Sequence, residues 1–181
     1  MKFRGGIVSG TVKNIIFVGF MGTGKTTLGR LLAERLQWPF IDCDEKIVQK
    51  AGMSIADYFA MHGEAAFRDL ETEVIREVLS GRMQVVSTGG GSVLRESNRA
   101  LMKNGGLVIA LTADKDTILQ RVRHDSGRPL LQGDAEARVG KLLKEREGAY
   151  DFADISINTA QRSMEQAIQR ILESLEAGKP E

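Results

Sequence analysis

Residues 19–26 read Gly-Phe-Met-Gly-Thr-Gly-Lys-Thr, which fits the pattern G-x-x-x-x-G-K-[ST] of a phosphate-binding loop. Glycines let such a loop wrap closely around phosphate oxygens, and its successive backbone N–H groups point toward them. Lys25 is predicted to reach the β- and γ-phosphates of a nucleotide, and the Thr26 hydroxyl is predicted to bind Mg²⁺. The predicted nucleotide contacts in this loop are Gly22, Thr23, Gly24, Lys25, Thr26 and Thr27.

The segments on either side of the loop have the character that this motif requires. Residues 14–18 are mostly apolar and predict a short buried strand. After the loop, leucines recur at the spacing of one helix face, at Leu28, Leu31, Leu32 and Leu36. Strand, loop and helix in this order favour a phosphate site over the alternative of a glycine-rich turn that binds nothing.

Length and composition indicate a single globular domain. The chain has 181 residues, of which 42% are hydrophobic, and this is enough to form a core. We divide it into a leader, residues 1–13, and a domain, residues 14–176. The formal net charge is +1, which does not favour nucleic acid as a partner. Charged residues within 1–40 are nearly all basic, which suits a nucleotide site but also fits a solvated basic N-terminus.

Composition also disfavours several kinds of site and location. Cys43 is the single cysteine, which excludes an internal disulfide and a cysteine-based zinc cluster. The two histidines, His62 and His124, lie far apart in the sequence and suggest no metal site. No apolar run approaches the roughly 20 residues of a transmembrane helix, and residues 15–20 are too short for a secretory signal. We therefore expect a cytoplasmic protein with no membrane partner.

Strand and helix signals alternate along the domain. The predicted strands are residues 14–18, 40–42, 84–87, 107–111 and 155–157. The predicted helices are the one after the phosphate-binding loop and residues 44–51, 55–62, 64–79, 96–103, 114–123, 134–150 and 164–175, with breaks at Gly52 and Gly63. This alternation predicts an α/β fold in which helices cover both faces of a parallel sheet. Ligands of such sheets bind at the carboxyl ends of the strands.

Asp42 and Asp44 stand at the end of the second predicted strand. If the chain is extended there, alternation places both carboxylates on one side and Cys43, a small packing residue, on the other. One carboxylate then suits a water of the Mg²⁺ shell, and the other suits a hydrogen bond from an acceptor hydroxyl. Phosphoryl transfer needs both tasks. The alternative is that Asp44 only caps the following helix.

Arg68 lies beside apolar residues and shares a predicted helix face with Glu71. An exposed pair at this spacing contributes only about 0.2–0.5 kcal/mol. A partly buried arginine held by Glu71 suits a different task, the bidentate binding of a substrate carboxylate. An ordinary helix salt bridge is the alternative.

Two loops carry further candidate residues. Gly89, Gly90 and Gly91 follow the third strand, and three glycines where a turn needs one indicate close approach of the backbone to a ligand. Residues 125–133 have Arg128 between two glycines, which predicts a lid that excludes water and stabilises the charge of the transferring group. The alternative is an ordinary surface loop, but that would not explain the two leucines that follow Arg128 and Pro129. Arg146 is uninformative by itself, because its helix face also carries lysines.

Taken together, these segments resemble the shikimate kinase family, which belongs to the P-loop proteins similar to nucleoside monophosphate kinases. The resemblance covers roughly residues 14–175. It rests on the phosphate-binding loop, Phe40-Ile41-Asp42-Cys43-Asp44, Phe67-Arg68-x-x-Glu71, Ser87-Thr88-Gly89-Gly90-Gly91 and Arg128-Pro129-Leu130-Leu131. The loop alone is common to many proteins, but the five segments in this order are specific. The implied fold is a three-layer α/β/α P-loop kinase fold with five parallel strands in the order 2-3-1-4-5. Substrate-binding helices at about 44–71 and a mobile lid at about 124–134 are also implied.

The resemblance further implies the activity and the roles of residues. The implied reaction is ATP-dependent phosphorylation of the 3-hydroxyl of shikimate with Mg²⁺. The implied catalytic residues are Lys25, Asp44 and Arg128, and the implied metal residues are Thr26 and, through water, Asp42. The implied shikimate contacts are Asp44, Arg68, Gly89, Gly90, Gly91 and Arg146. Arg121 is implied to flank the adenine opposite the segment after Asn158, and Arg128 to reach both the phosphate and the substrate. Where the family usually has Pro-Leu-Tyr, this chain has Gly148-Ala149-Tyr150.

Three other functions were weighed against this one. A related small-molecule kinase, such as a gluconate kinase, would share the phosphate-binding loop and the lid. A GTPase would need a guanine-reading Asn-Lys-x-Asp segment, and the sequence has none. A non-catalytic nucleotide-binding module should have lost Lys25, Asp44 or Arg128, and all three are present. We expect a monomer whose partner is a small-molecule substrate.

Overall fold

The fold is built on a central sheet of five parallel strands. The structure is a computed structural model, and it describes residues 13–123 and 135–177. The strand order is β2-β3-β1-β4-β5, and the register aligns Ile15 of β1 with Val85 of β3 and with Leu107 of β4. The predicted strand order 2-3-1-4-5 is therefore confirmed. Because β1 lies in the middle, its carboxyl end opens onto the centre of the sheet edge where ligands of such folds bind.

Strands and helices alternate along the described chain as the sequence predicts. The strands are β1 (Ile15–Gly19), β2 (Phe40–Asp42), β3 (Val85–Ser87), β4 (Leu107–Thr112) and β5 (Ile155–Asn158). The helices are α1 (Lys25–Leu36), α2 (Cys43–Ala51), α3 (Ile55–Ser80), α4 (Glu96–Gly105), α5 (Lys115–Arg123), α6 (Ala135–Glu145) and α7 (Met164–Ala177). A one-turn 3-10 helix, Ser92–Leu94, lies between β3 and α4.

The three layers follow from side-chain alternation along strands that are buried on both faces. In β1, Ile15 and Phe17 face a cluster that includes residues of α1 and α7. Ile16 and Val18 face the opposite cluster, which includes residues of α3 and α4. All four side chains have no exposed surface. Successive residues of a strand point to opposite faces, so an uninterrupted apolar run is what a parallel sheet between two helix layers requires.

A smaller cluster joins α2 to α3 outside the main layers. Its buried members are Ile47, Phe67, Leu70 and Val74. α3 is interrupted at Gly63, where φ is 80° and ψ is 174°, so the predicted break at this glycine is confirmed. The kink separates residues 55–62 from the longer segment that carries Arg68 and Glu71. These helices correspond to the predicted substrate-binding helices.

One predicted boundary and one predicted side-chain arrangement were wrong. The helix predicted over residues 134–150 ends at Glu145, and a series of turns follows, so Arg146 lies just past the helix and not within its last turns. Asp44 lies in the first turn of α2, so its position relative to Asp42 is not set by strand alternation. Among the helices of the described residues, none combines the length and the apolar character needed to span a membrane. The predicted division into residues 1–13 and 14–176 stays a prediction, since residues 1–12 lie outside the described part.

The kink at Gly63 generates a prediction about stability. Its φ and ψ fall in a region that essentially only glycine occupies, so Gly63→Ala should lower the free energy of unfolding by about 1–3 kcal/mol. No atom lies within 4 Å of the position of the added methyl group, so the loss would be backbone strain and not a clash. Denaturant unfolding followed by circular dichroism measures the change.

Gly140→Ala is the matched control for this experiment. Gly140 lies inside α6, and the nearest neighbour of an added methyl group is Lys115 at 3.8 Å. Alanine in a helix interior is favoured over glycine, so this variant should gain about 0.5–1 kcal/mol. Equal stability of Gly63→Ala and wild type would contradict the assignment of strain to the kink.

Candidate active site

The phosphate-binding loop connects the end of β1 to the start of α1. Gly22 and Gly24 adopt positive φ values of 76° and 93°, which side chains disfavour. The Lys25 ammonium donates to the carbonyl oxygen of Gly19 at 2.8 Å and to that of Phe20 at 3.0 Å. Its charge therefore lies over the loop. Lys25, Thr26 and Thr27 form the first turn of α1, whose N–H groups and dipole favour an anion.

The loop is held in place by apolar packing and by the following helix layer. Phe20 and Met21 are buried in a cluster with residues of α5 and α6. A methyl group on Gly22 would lie 2.9 Å from Val122 Cγ2, so this glycine also permits close approach of α5. Inside the loop, the Thr23 hydroxyl donates to the carbonyl oxygen of Phe20 at 2.8 Å. The loop backbone is thus shaped before any ligand binds.

Thr26 and Asp42 come together at the ends of α1 and β2. The Thr26 hydroxyl donates to Asp42 Oδ2 at 3.2 Å, and both side chains offer oxygen ligands. Mg²⁺ in nucleotide sites is held by one or two protein oxygens together with phosphates and waters, so this pair fits the ion. Among the described residues, no group of three or more His, Cys, Asp or Glu side chains is arranged to hold a metal.

Asp42, and not Asp44, caps α2. Asp42 Oδ1 accepts the Asp44 backbone N–H at 3.0 Å, so the alternative interpretation of Asp44 as a mere helix cap is wrong. Cys43 between them is buried in the core, as predicted for a packing residue. Burial, together with the neighbouring carboxylates of Asp44 and Asp42, raises the pKa of the Cys43 thiol far above its usual range. Cys43 is therefore a packing residue, while Asp44 Oδ1 faces Gly89.

The three glycines after β3 lie at the centre of the site, and each approaches a different neighbour. A methyl group on Gly89 would lie 2.9 Å from Asp44 Oδ1, and one on Gly91 would lie 2.9 Å from Arg68 Nη2. A methyl group on Gly90 would lie 3.2 Å from Arg146 Nη1 and 3.3 Å from the carbonyl oxygen of Gly19 in the phosphate-binding loop. None of the three has a positive φ. These positions are therefore glycine because of space and not because of backbone conformation.

Arg68 is held by two carboxylates of α3. Its Nη1 donates to Glu71 Oε2 at 2.9 Å, and its Nη2 lies 3.4 Å from Glu64 Oε1. The side chains of Arg68 and Glu71 are only 17% and 3% exposed, so this is not an ordinary surface pair. Burial raises the pKa of the Glu71 carboxyl, although the Arg68 guanidinium opposes the rise. The guanidinium is thereby oriented toward Gly91.

Arg146 is buried, at 8% relative exposure, in the turn after α6. Its guanidinium lies over the Phe20 ring, with Cζ 5.0 Å from the ring centroid. Nε and Nη1 are buried and have no hydrogen-bond partner within the described part of the chain. A buried cation with free donors requires an anion, because leaving such groups unpaired is unfavourable. Its two free N–H groups suit a carboxylate of a ligand.

Arg121 ties the phosphate-binding loop to the end of β5. It donates to the carbonyl oxygens of Gly22 at 3.1 Å and Thr159 at 2.9 Å. The buried Thr159 hydroxyl donates to the carbonyl oxygen of Thr23 at 2.9 Å. Arg121 thus contacts the segment that follows Asn158 directly. The implied arrangement, in which the adenine lies between the two, stays a prediction. Arg128 and the predicted lid, about residues 124–134, lie outside the described residues.

Several residues of the site were missed in the sequence. Phe20 supports Arg146, Thr159 anchors Arg121, and Tyr150 donates to the carbonyl oxygen of Gly90 at 2.9 Å. The tyrosine and the glycine are separated by 60 positions. No local pattern signals such a contact, because it forms only when the loops at the sheet edge come together. A tyrosine four residues after Arg146 was the one available hint.

Comparison with known proteins identifies the family. The family model described as shikimate kinase matches residues 21–176 of this chain. The chain belongs to the shikimate kinase family. A shikimate kinase of Pelotomaculum thermopropionicum is 45% identical over 165 residues, which cover 91% of this chain and 96% of that protein.

Solved structures agree with the family assignment. The shikimate kinase from Acinetobacter baumannii, in complex with shikimate, superposes with a TM-score of 0.86 at 39% identity. It covers 94% of this chain, which in turn covers 97% of it. A gluconokinase from Sinorhizobium meliloti gives a TM-score of 0.62 at 20% identity, with 91% and 92% of the two chains covered. At that identity the likeness shows only a shared fold, and the P-loop kinase fold predicted from the sequence is confirmed.

The buried Glu71 makes a prediction about stability against pH. A carboxyl whose pKa is raised by folding holds its proton more tightly in the folded state. Its contribution to stability is therefore fully present below its ordinary pKa of 4.5 and is lost as pH rises through the folded-state pKa. The free energy of unfolding of wild type, minus that of Glu71→Gln, should fall as pH rises from about 4 to about 7.

Urea unfolding at several pH values measures this difference. Glu34→Gln is the control, because it makes the same substitution at an exposed position of α1. The corresponding difference for Glu34→Gln should stay level over the same range. A difference for Glu71→Gln that is level, or that increases with pH, would contradict the burial of this carboxyl.

Proposed function

We propose that this protein transfers the γ-phosphoryl group of ATP to the 3-hydroxyl of shikimate, giving shikimate 3-phosphate and ADP. The observation that carries the proposal is the position of Gly90. It packs against both the backbone of the phosphate-binding loop and the buried guanidinium of Arg146. A small acceptor with a carboxylate, held by Arg146, would thus lie beside a bound nucleotide. Membership of the shikimate kinase family makes shikimate that acceptor.

The proposed chemistry is a single in-line displacement. The 3-hydroxyl oxygen attacks the γ-phosphorus, the bond from that phosphorus to the β–γ bridging oxygen breaks, and ADP leaves with the bonding electrons. The hydroxyl proton passes to the Asp44 carboxylate. In support, Asp44 Oδ1 faces the start of the triple-glycine segment, where the ring hydroxyls would lie. Asp44 lies in the first turn of α2, two residues after Asp42, and a methyl group on Gly89 would lie 3.1 Å from Glu71 Oε1 as well.

The phosphate-binding loop is proposed to stabilise the negative charge on the phosphate oxygens. We assign Lys25 and the N–H groups of the loop to the β- and γ-phosphate oxygens, where charge is spread in the transition state. Thr26 and, through water, Asp42 would hold Mg²⁺, which when bound neutralises phosphate charge. Arg128 keeps its proposed role on the transferring phosphate and on the substrate.

We propose that two arginines in different environments, Arg68 and Arg146, bind the acceptor. Arg68 is already paired with Glu71, so it presents a fixed fork toward Gly91. Arg146 has free donors, so it is the stronger candidate for neutralising the carboxylate. Gly89, Gly90 and Gly91 would contact the ring hydroxyls, since no side chain keeps the ring away. This rigid cradle favours a cyclic acid over a flexible one such as gluconate.

Further parts of the proposal concern the adenine of ATP, the oligomeric state and the location of the reaction. We assign Arg121 to one face of the adenine, because it is fixed between Gly22 and Thr159 at the end of β5. We propose a monomer as the functional unit. We place the reaction in the cytoplasm, where ATP is available.

Release of ADP tests the reaction and the acceptor together. A coupled assay with Mg-ATP should show release that depends on shikimate, while quinate and gluconate give little above background. Lys25→Ala should abolish turnover, because the charge over the phosphate-binding loop is lost. Shikimate-independent release by the wild type would refute the acceptor, and activity of Lys25→Ala within a few-fold of wild type would refute the nucleotide assignment.

Arg68→Ala tests the acceptor site separately. Removing a partly buried arginine from a carboxylate should weaken shikimate binding by about 2–5 kcal/mol. Arg76→Ala is the control, since Arg76 is exposed on the same helix, and it should leave shikimate affinity unchanged. Isothermal titration calorimetry gives both affinities. Unchanged affinity for shikimate in Arg68→Ala would remove this residue from the site.

A further inference from the structure

Tyr150 lies next to two parts of the proposed acceptor site, Gly90 and Arg146. Its hydroxyl donates to the carbonyl oxygen of Gly90 at 2.9 Å. The ring is partly buried and packs on the core cluster beneath α3 and α4, together with Phe152. The phenol group is therefore fixed at one end by apolar packing and at the other by a backbone acceptor.

Tyr150 and Arg146 also lie close to each other. They belong to one tight turn, in which the Ala149 N–H donates to the carbonyl oxygen of Arg146 at 3.1 Å. Burial raises the pKa of the Tyr150 phenol, and the nearby charge of the Arg146 guanidinium opposes that rise. The Tyr150 hydroxyl thus holds the carbonyl of Gly90, the residue on which the buried guanidinium packs.

The geometry of the connection is demanding. A methyl group on Gly90 would lie only 3.2 Å from Arg146 Nη1, so guanidinium and glycine backbone are already in close contact. Phe20 supports the guanidinium from the side of the phosphate-binding loop. The Gly90 backbone, whose carbonyl accepts from the Tyr150 hydroxyl, therefore forms one wall of the space that the guanidinium occupies, and Phe20 forms another.

We infer that Tyr150 is a positioning residue for the acceptor, whose hydroxyl holds the Gly90 carbonyl and thereby keeps the Gly90 backbone against the Arg146 guanidinium in the arrangement that binds the substrate carboxylate. This inference rests on the proposed function. It concerns the acceptor and not the nucleotide, because the residues that Tyr150 fixes lie on the acceptor side. Loss of the hydroxyl should therefore affect the affinity for shikimate selectively.

Tyr150→Phe removes the hydroxyl and keeps the ring that packs on the core. We expect the dissociation constant and KM for shikimate to rise about 5- to 30-fold, as for a partly buried backbone carbonyl that is left without its donor. KM for ATP and the affinity for ADP should change less than about twofold, and kcat less than about threefold. Calorimetry and steady-state kinetics measure these quantities.

Ser174→Ala is the matched control. Its hydroxyl also donates to a backbone carbonyl, that of Arg170 at 3.0 Å, but on α7 away from the site. It should leave both affinities unchanged. Shikimate affinity of Tyr150→Phe equal to that of wild type would overturn the inference, and so would an equal loss of affinity for shikimate and ADP, which a merely structural role would cause.

A double-mutant cycle tests whether Tyr150 acts through Arg146. In an Arg146→Lys background, which keeps the charge but not the planar fork, Tyr150→Phe should reduce shikimate affinity less than about twofold. An undiminished effect would overturn the link. The wild-type protein distinguishes failure of this inference from failure of the proposed function. If the proposed function is wrong, the wild type itself binds shikimate weakly and releases no shikimate-dependent ADP.

Discussion

The active site depends on the close contact between two backbone segments at the carboxyl edge of the sheet. The phosphate-binding loop follows β1, and the triple-glycine segment follows the neighbouring β3, so the two loops emerge side by side. At Gly90 the space for a side chain is filled by the loop backbone and by the Arg146 guanidinium. Any side chain there would separate the nucleotide site from the acceptor site. Direct transfer between two ligands requires reacting atoms close to each other and sheltered from water, so this contact is a precondition of the chemistry.

The two buried arginines near that contact, Arg68 and Arg146, differ in how their charge is neutralised. Arg68 is neutralised by Glu71, and a buried pair of this kind contributes less to stability than to orientation, since desolvation offsets the attraction. Nε and Nη1 of Arg146 have no hydrogen-bond partner among the described residues, an arrangement that costs stability in the protein alone. A carboxylate bound at Arg146 would offset that cost. In the proposed site, the first arginine is thus preorganised, while the second would supply most of the driving force for binding an anion.

The phosphate-binding loop and the helices of the proposed acceptor site differ in how firmly they are attached to the core. The phosphate-binding loop is attached to the main core through β1, through the cluster of Phe20 and Met21, and through the bonds of Arg121 to Gly22 and Thr159. The acceptor helices pack through their own smaller cluster and are interrupted at Gly63. Fewer buried contacts mean a smaller cost of local rearrangement. The nucleotide side is therefore the fixed reference, and the acceptor side is the part able to adjust.

The sequence by itself determined the sheet, the strand-loop-helix of the phosphate site and the identities of most candidate residues. These signals are local: apolar runs, a glycine motif, and a break at Gly63 that the backbone confirms. Local rules failed for Asp44, whose position is set by the helix cap of Asp42 and not by an extended strand. They were silent about Arg146, which looked like part of a solvated face and is buried against Phe20. Only the tertiary structure decided the meaning of the three glycines and of Tyr150, because space and contact between loops far apart in the chain exist only once the sheet has brought the ends of its strands together.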